Sequence, residues 1–333
     1  MFDALILDRA NGSVAPSVRS LSLADVPGAD GDEVRLKVLY SSLNYKDALA
    51  VTGKGNIIRG EYPIVPGIDL VGVVLEADAD MFSPGDRVIG TGWQLGEVDW
   101  GGYTQRARVA ARKLVPLPEG LSPKQAMVAG TAGFTAMLSV MALQEHAVTP
   151  DQGDVVVTGA SGGAGSMAVS LLARRGYDVV ASTGSDDAHE YLRACGASRI
   201  VPRTEFDEGP DRPMESGRWA GAVDAVGGKT LATLIAQLQR HGSVASFGNA
   251  GGHELHTTVF PFILRGVNLL GIDSNTCPND RRLAAWERLA SLLTEADFEH
   301  MTARTIGLSD VPAVSEEVLD GVIRGRVVVD VQA

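Results

Sequence analysis

The chain has 333 residues, of which 45% are hydrophobic and 39 are glycine, so it fits a globular protein of two domains and not a disordered chain. Its formal net charge of −12 at pH 7 opposes a general affinity for nucleic acid or for an anionic membrane surface, so we expect no nucleic-acid or membrane partner. The chain has only two cysteines, no secretory signal pattern at its start and no apolar run near the roughly 20 residues that span a bilayer, which predicts a cytoplasmic protein with reduced thiols.

Up to about residue 120 the apolar segments are short and are bounded by turn-forming residues. Examples are ALIL, DEVRLKVLYSSL, DLVGVVLEA, DRVIG and YTQRARV. This spacing is typical of antiparallel strands and predicts a small β-rich barrel or sandwich.

From about residue 123 the pattern changes to alternating strands and helices. The stretch SPKQAMVAGTAGFTAMLSVMAL predicts a helix whose start Ser122 or Thr131 could cap. Strand-like runs such as DVVVTG, DVVAST and GAVDAVG then alternate with predicted helices at 163–175, 187–195 and 229–240. This alternation indicates βαβ units on a parallel sheet, and the run GRVVVDV near the end returns to β character.

A glycine-rich loop lies between a predicted strand and a predicted helix, with Gly159, Gly162, Gly163 and Gly165 in the order G-x-x-G-G-x-G. Backbone N–H groups at such a helix start can bind a pyrophosphate, and glycines let it approach closely. A tight turn without a ligand is the alternative. The surrounding alternation favours dinucleotide binding.

The end of the second parallel strand indicates which dinucleotide is bound. An NAD site usually has Asp or Glu there for the ribose 2′-hydroxyl, whereas this chain has Ser182 to Ser185. These residues leave room for a 2′-phosphate and favour NADP, although Asp186 and Asp187 follow closely. Arg203, just past the strand-like run RIV, could supply the cation; a solvated loop arginine is the alternative.

The order of domains and several local motifs resemble a known family. The strings LNYKDALAVTGKG, YPIVPGIDLVGVV, GTAGFTAM, TGASGGAG and VFPFILRGVNLLGIDS occur in this order along essentially the whole chain. They resemble the medium-chain dehydrogenase/reductase superfamily, in its zinc-independent quinone-oxidoreductase branch and specifically its acryloyl-CoA reductase group. The resemblance implies a GroES-like β-rich catalytic domain over 1–122 and 275–333, and a Rossmann-like NADP-binding domain over 123–274. It also implies a homodimer with VNLLGID near the interface.

The resemblance further implies a set of cofactor contacts at the glycine loop, the ends of the parallel strands and the GIDS segment. Relatives in this group often carry Arg where this chain has Ser185, so the 2′-phosphate contact would rest more on Arg203. The implied cofactor-binding residues are Tyr45, Ser161, Gly162, Gly163, Ala164, Thr183, Gly184, Ser185, Arg203, Asn249 and Ser274.

No metal site is expected. A catalytic zinc needs three protein ligands, and a structural zinc in such enzymes would need four clustered cysteines. Zinc-dependent relatives carry His-Glu after VPG, where this chain has Ile68 and Asp69. All six histidines lie at or after residue 146, and His253 and His256 could share a surface only by chance.

Without a metal, a conjugated acceptor such as an enoyl thioester or a quinone is easier to reduce than a simple ketone. Hydride can add at a β-carbon while a hydrogen-bond donor stabilises the resulting enolate or protonates the α-carbon. The motif NYKD supplies two candidate catalytic residues, Tyr45 and Asn44; an ordinary half-buried tyrosine and a turn-forming asparagine are the alternatives. Asp47 is expected to cap a helix. Lys46 and Lys54 could attract coenzyme A phosphates or be simply solvated, and neither is assigned.

Three functions remain open from the sequence. The first is NADPH-dependent reduction of acryloyl-CoA, a small-molecule enoyl-CoA substrate, to propanoyl-CoA. The second is an NADPH quinone oxidoreductase of the same fold. The third is a non-catalytic NADPH-binding redox sensor, against which the intact Tyr45 region argues.

Overall fold

The computed structural model describes residues 1–10, 12–78 and 80–333, and these divide into two compact units. The first unit consists of Met1–Thr131, Asn275–Ala290 and Thr302–Ala333, and the second of Ala132–Ser274 and Ser291–Met301. The boundary after residue 274 coincides with the predicted one. The earlier boundary falls at 131/132 and not at 122/123, and residues 291–301 join the second unit.

Within the described residues, the first unit is built around a mainly antiparallel sheet. Its strand order is β14-β15-β3-β4-β5-β7, with β6 also paired to β3 and with β1 and β2 forming a separate hairpin. Only the β14–β15 pair in this sheet is parallel. The strands are β1 (Phe2–Ala10), β2 (Ser13–Leu21), β3 (Glu33–Leu43), β4 (Asp69–Ala77), β5 (Arg87–Thr91), β6 (Arg106–Ala110), β7 (Leu114–Pro116), β14 (Thr302–Ile306) and β15 (Arg326–Asp330).

The core of the first unit is formed by alternating residues of these strands, because successive side chains of a strand point to opposite faces. Leu36 and Val38 of β3, Leu70 of β4 and Val329 of β15 are buried in one cluster. Helix α1 (Tyr45–Thr52) directly follows β3 and packs against α9 (Val311–Leu319). The β-rich domain predicted from the sequence is confirmed.

The long helix α2 (Pro123–Glu145) is interrupted at Gly130, whose backbone angles are φ 51° and ψ −157°. Ser122 caps its start, since the Ser122 hydroxyl accepts the Gln125 N–H at 3.2 Å and the Gln125 side chain accepts the Ser122 N–H at 2.8 Å. The prediction that no apolar run could span a bilayer is wrong for α2 by length and composition. However, 94% of its most apolar window is buried inside the protein, as in a core helix.

The second unit contains a six-stranded parallel sheet in the order β10-β9-β8-β11-β12-β13. Numbered within the sheet, this order is 3-2-1-4-5-6, the doubly wound arrangement in which ligands bind beyond the carboxyl ends of the strands. The strands are β8 (Val155–Val157), β9 (Val179–Thr183), β10 (Arg199–Pro202), β11 (Trp219–Asp224), β12 (Leu238–Ser246) and β13 (Asn268–Gly271). The Rossmann-like fold class is therefore confirmed.

The helices of the second unit match the predicted alternation with small shifts at their ends. The helix predicted at 229–240 ends at Gln237, because residues 238–240 already belong to β12. The short helix α8 belongs with this unit because Asp297 pairs with Arg174 of α3 at 2.8 Å. The helices are α3 (Gly163–Arg174), α4 (His189–Ala194), α5 (Gly228–Gln237), α6 (Phe260–Arg265) and α8 (Glu295–Met301), and α7 (Asn279–Leu292) runs from the first unit into the second.

Replacing Gly130 with alanine should destabilise the protein strongly. The new Cβ would lie 2.6 Å from Asp69 Oδ2 and 2.7 Å from Ser42 Oγ, at a positive φ. Gly120→Ala is the matched control, because Gly120 also has a positive φ but its Cβ would meet no atom within 4 Å. We expect the Gly130 variant to lose about 2 kcal/mol more than the control in the free energy of unfolding by urea. Equal losses would show that the surroundings of Gly130 accept a methyl group.

Candidate active site

Tyr45 is the first residue of α1, and its side chain is mostly exposed to solvent, at 57%. Within the described residues its hydroxyl makes no hydrogen bond, so it is accessible to a ligand. The tyrosine therefore lies at a helix start and is not half-buried. Its predicted catalytic role depends on what fixes this end of the helix.

The start of α1 is fixed by two hydrogen bonds from Asn44 to Asp47. Asn44 is the N-cap residue, and both its backbone N–H and its side-chain Nδ2 donate to Asp47 Oδ2 at 2.9 Å. Asp47 is the third residue of the helix, and its other oxygen accepts the Ile68 N–H at 2.9 Å. The prediction that Asp47 is the capping residue is wrong in position, because Asn44 takes that place and Asp47 supports it.

Asp69, the first residue of β4, connects the helix cap to the rest of the first unit. Its buried carboxylate accepts hydrogen bonds from the hydroxyl of Ser42, from Asn44 Nδ2 at 2.8 Å, and from the N–H of Thr131 at 2.9 Å. The Thr131 hydroxyl also donates to it. One carboxylate therefore holds two separate segments, residues 42–44 and Thr131.

Arg326 closes this network from the last strand. Its NH2 group donates to Asn44 Oδ1 at 2.9 Å, and its Nε donates to the carbonyl of Val128 at 3.0 Å. Both ends of the Asn44 amide thus bind other protein groups. The role of Asn44 as a direct donor to cofactor or substrate stays a prediction, and the contacts described here make it a residue that positions Tyr45.

Two further buried groups in this region have shifted pKa values. Burial, and next the negative charge of Asp69, raise the pKa of the Asp47 carboxyl to about 7. Burial also raises the pKa of the Tyr103 hydroxyl well above its ordinary value, and this hydroxyl donates to the Ser42 carbonyl at 3.1 Å. Tyr103 therefore remains a neutral structural group, whereas Tyr45 is the accessible phenol of this region.

In the second unit, the glycine loop leads directly into α3 with Gly162 as the N-cap residue. The first hydrogen bond of the helix runs from the Ser166 N–H to the Gly162 carbonyl at 2.9 Å. The N–H groups of residues 163–165 precede this bond and point out of the helix start. A pyrophosphate placed there can accept hydrogen bonds from them. A Cβ at Gly165 would lie 2.2 Å from the Gly159 carbonyl, so the close turn requires glycine there.

The structure brings the predicted adenosine-end residues together. Thr183 Oγ1 lies 3.2 Å from Ser161 Oγ and accepts the Ser185 N–H at 3.1 Å. Arg203 lies across Gly184, because a Cβ at Gly184 would be 2.7 Å from Arg203 Cδ. The Arg203 side chain is 72% exposed and is 3.7 Å from Asp207, so its charge is only weakly paired. These residues lie close enough together to hold a ribose that carries a 2′-phosphate, and their contact with a cofactor stays a prediction.

Asn249 and Ser274 each follow the carboxyl end of a parallel strand by three residues, Asn249 after β12 and Ser274 after β13. Asn249 is exposed, and its Cα would lie 3.2 Å from a Cβ added at Gly227, so it stands beside the start of α5. Both residues are therefore at the ligand-binding edge of the sheet, and their contact with a cofactor stays a prediction.

Asp224, which was not predicted from the sequence, organises this edge of the sheet. Its buried carboxylate accepts the Thr158 hydroxyl at 2.6 Å, the Gly227 N–H at 2.9 Å and the Ser246 hydroxyl at 3.3 Å. Burial raises the pKa of Asp224. The available signal was the single acid inside the apolar run GAVDAVGG, which indicates a buried carboxylate that needs donors.

The comparisons with known proteins agree with both units. Residues 30–119 match the alcohol dehydrogenase GroES-like domain, and residues 163–291 match a family described as zinc-binding dehydrogenase. Within residues 1–10, 12–78 and 80–333, no group of three or more His, Cys, Asp or Glu side chains could hold a metal ion. The side chains described here do not fit the zinc of that description.

Three relatives match over nearly their whole length. The acrylyl-CoA reductase AcuI of Ruegeria pomeroyi is 51% identical over 100% of both chains. The yhdH oxidoreductase of Salmonella enterica, solved in complex with NADP, is 48% identical with a TM-score of 0.95 over 99% of both chains. The Bacillus subtilis protein yhfP, solved with NAD bound, is 47% identical with a TM-score of 0.95 over 99% of both chains.

These full-length similarities confirm the resemblance seen in the sequence motifs. The chain belongs to the medium-chain dehydrogenase/reductase superfamily, in the quinone oxidoreductase-like branch that includes the acrylyl-CoA reductases.

Proposed function

We propose that this protein is an NADPH-dependent reductase that reduces the carbon–carbon double bond of acryloyl-CoA and gives the saturated thioester propanoyl-CoA. The observation that carries the proposal is the exposed phenol of Tyr45 on a rigidly capped helix, in a chain 51% identical over its full length to an acrylyl-CoA reductase. A redox sensor without catalysis needs no such fixed, accessible donor.

The residues of the second unit fit NADP. Bound NADPH would supply the hydride for the reaction. The N–H groups of residues 163–165 would hold its pyrophosphate, and Arg203 beside Gly184 would pair with its 2′-phosphate. A 48% identical relative was solved in complex with NADP, which supports this choice of cofactor.

The first unit would supply the proton donor and the electrostatic stabilisation. When hydride reaches the β-carbon of the alkene, the π electrons move toward the thioester oxygen, which becomes an enolate. The Tyr45 hydroxyl would donate to that oxygen or deliver its proton to the α-carbon. The Asn44–Asp47–Asp69 contacts would keep the hydroxyl in place without moving during the reaction.

We also propose that the protein is a homodimer, associated through the edge of the parallel sheet. Strand β13 is the last strand of that sheet, and Leu269 on it is exposed. Helix α6 next to it exposes Ile263 at 68% and Leu264 at 50%, and Val259 before it is 63% exposed. An unpaired strand edge beside apolar side chains is a surface that a second copy can cover.

A cytoplasmic location is likewise proposed. Cys195 is buried and forms no disulfide within the described residues, which fits a reducing compartment.

The substrate assignment predicts an order of efficiencies for the purified protein with NADPH. kcat/KM should be highest for acryloyl-CoA and should fall for crotonyl-CoA, because a methylene that clashes in a short acyl pocket costs about 1–3 kcal/mol. Free acrylate should react very poorly, since it lacks the coenzyme whose binding orients the alkene. The measurement is NADPH oxidation with these three compounds and a benzoquinone in parallel. Faster reduction of the benzoquinone than of any thioester would replace the proposal with a quinone reductase.

Tyr45→Phe should lower kcat by about 10²-fold, because it removes one proton or hydrogen-bond donor and keeps the ring. The dissociation constant of NADPH should change little. Tyr40→Phe is a matched control, since Tyr40 lies on β3 of the same unit, outside the helix cap. An unchanged kcat in the Tyr45 variant would contradict the role of its hydroxyl.

NADPH should bind more tightly than NADH, and Arg203 should account for the difference. Arg203→Gln is expected to raise the dissociation constant of NADPH by about ten- to a hundredfold, the value of a hydrogen bond to a charged group, and to leave that of NADH unchanged. Arg212→Gln, another exposed arginine of the second unit, is the control. Equal effects of Arg203→Gln on the two cofactors would refute the contact with the 2′-phosphate.

A further inference from the structure

Lys46, the residue after Tyr45, takes part in an ion-pair cluster that the sequence did not predict. Its Nζ lies 2.9 Å from Glu97 Oε1, and the guanidinium of Arg59 contacts Glu97 Oε2. The Glu97 side chain is only 4% exposed, whereas the side chains of Lys46 and Arg59 are 41% and 52% exposed. One buried carboxylate therefore holds two cations at the surface, and the cluster has a net charge of +1.

The backbone makes this arrangement rigid. The N–H groups of Arg59 and Gly60 both donate to the Glu97 carbonyl, at 2.8 Å and 2.9 Å. The loop that carries Glu97 and the segment that carries Arg59 are thus joined by main-chain bonds as well as by the ion pair. Lys46 is anchored to them from the first turn of α1.

Two other ion-pair groups of the first unit carry no such surplus of positive charge. Glu33 also binds two cations, Arg35 and Arg108, but Arg35 pairs in addition with Glu76 at 2.6 Å. Lys54, at the other end of α1, forms a single pair with Glu316. The sequence could not distinguish Lys46 from Lys54. The surplus positive charge around Lys46 does distinguish them.

The position of Lys46 is unfavourable for the helix itself. Cations near a helix N-terminus are repelled by the positive end of the helix dipole. The negative charge of Glu97 can offset the repulsion of one cation only. Lys46 shares that charge with Arg59, which contacts the other carboxylate oxygen of Glu97. The arrangement leaves a positive charge uncompensated next to the exposed phenol.

We propose that Lys46 is a catalytic residue that binds the thioester oxygen as it becomes an enolate, with Glu97 positioning the ammonium and Arg59 offsetting the charge of Glu97. This inference rests on the proposed function. The thioester oxygen is preferred over the coenzyme phosphates because Lys46 is adjacent to Tyr45, whereas the phosphates are separated from the thioester by the pantetheine arm.

The electron balance of the step is simple. Hydride from NADPH forms a bond to the β-carbon and NADPH becomes NADP⁺, while the carbon–carbon π bond breaks and its electrons place a negative charge on the thioester oxygen. The Lys46 ammonium stabilises this charge without giving up its proton. The Tyr45 hydroxyl then gives its proton to the α-carbon, which removes the enolate charge, and the tyrosine regains a proton from solvent.

The test compares Lys46→Gln with the wild type on two substrates, acryloyl-CoA and the acryloyl thioester of N-acetylcysteamine, which has no phosphate groups. We expect kcat to fall by about 10- to 100-fold on both substrates, the value of a hydrogen bond to a charged group. The dissociation constant of NADPH should stay the same. Lys46→Arg should restore part of kcat, and Lys54→Gln, the control, should leave it unchanged.

Arg59→Gln tests the positioning part of the proposal. In this variant Glu97 neutralises the Lys46 ammonium, because the second cation is gone. We expect kcat to fall although Arg59 does not touch the substrate, and NADPH binding should be retained.

An unchanged kcat in Lys46→Gln overturns the inference. An effect confined to KM for acryloyl-CoA also overturns it and assigns Lys46 to the coenzyme phosphates. If the wild-type protein is inactive on both thioesters, the proposed function and this inference are both overturned. The wild-type measurement alone gives that result.

Discussion

The buried carboxylate of Asp69 is the interaction on which the candidate active site depends. A buried charge is costly unless several donors meet it, and Asp69 obtains them from Ser42 at the end of β3, Asn44 at the start of α1 and Thr131 after the break in α2. These donors must converge on one point. The direction of α1, the need for glycine at position 130 and the contact from the last strand all follow from that convergence.

The consequence for chemistry is that three consecutive residues have three different environments. Tyr45 is exposed, Lys46 is half-exposed against Glu97, and Asp47 is buried against the helix cap. Successive side chains of a helix diverge by about 100° around its axis, so a single turn can separate them in this way. The buried carboxylate serves the fold, and the two groups at the surface are left for a ligand.

The sequence predicted those parts of the fold that local patterns determine. The glycine loop, the alternating strands and helices and the placement of Arg203 near residues 183–185 follow from spacing over a few tens of residues. Asp47 was predicted to cap the helix because it directly precedes the apolar run ALAV. Asn and Asp are almost equally good N-cap residues, so local preference cannot separate Asp47 from Asn44. The Asp69 network was not predicted, since Asn44 and Arg326 are 282 residues apart and no local pattern connects them. The Lys46–Glu97 pair was missed for the same reason, because its members are 51 residues apart.

The separation between Asn44 and Arg326 also has a meaning for biosynthesis. The ribosome makes the start of α1 early, and it makes the arginine that completes the cap only after the whole parallel sheet of the second unit has been synthesised. Domains fold as the nascent chain emerges, and the second unit is nearly continuous, so it can fold while the first unit still lacks β14 and β15. The nascent first unit must then hold the Asn44 amide and the Val128 carbonyl without their Arg326 partner until β15 has been made. A chain terminated before residue 326 would retain every residue of the glycine loop and lose the anchor of the catalytic helix.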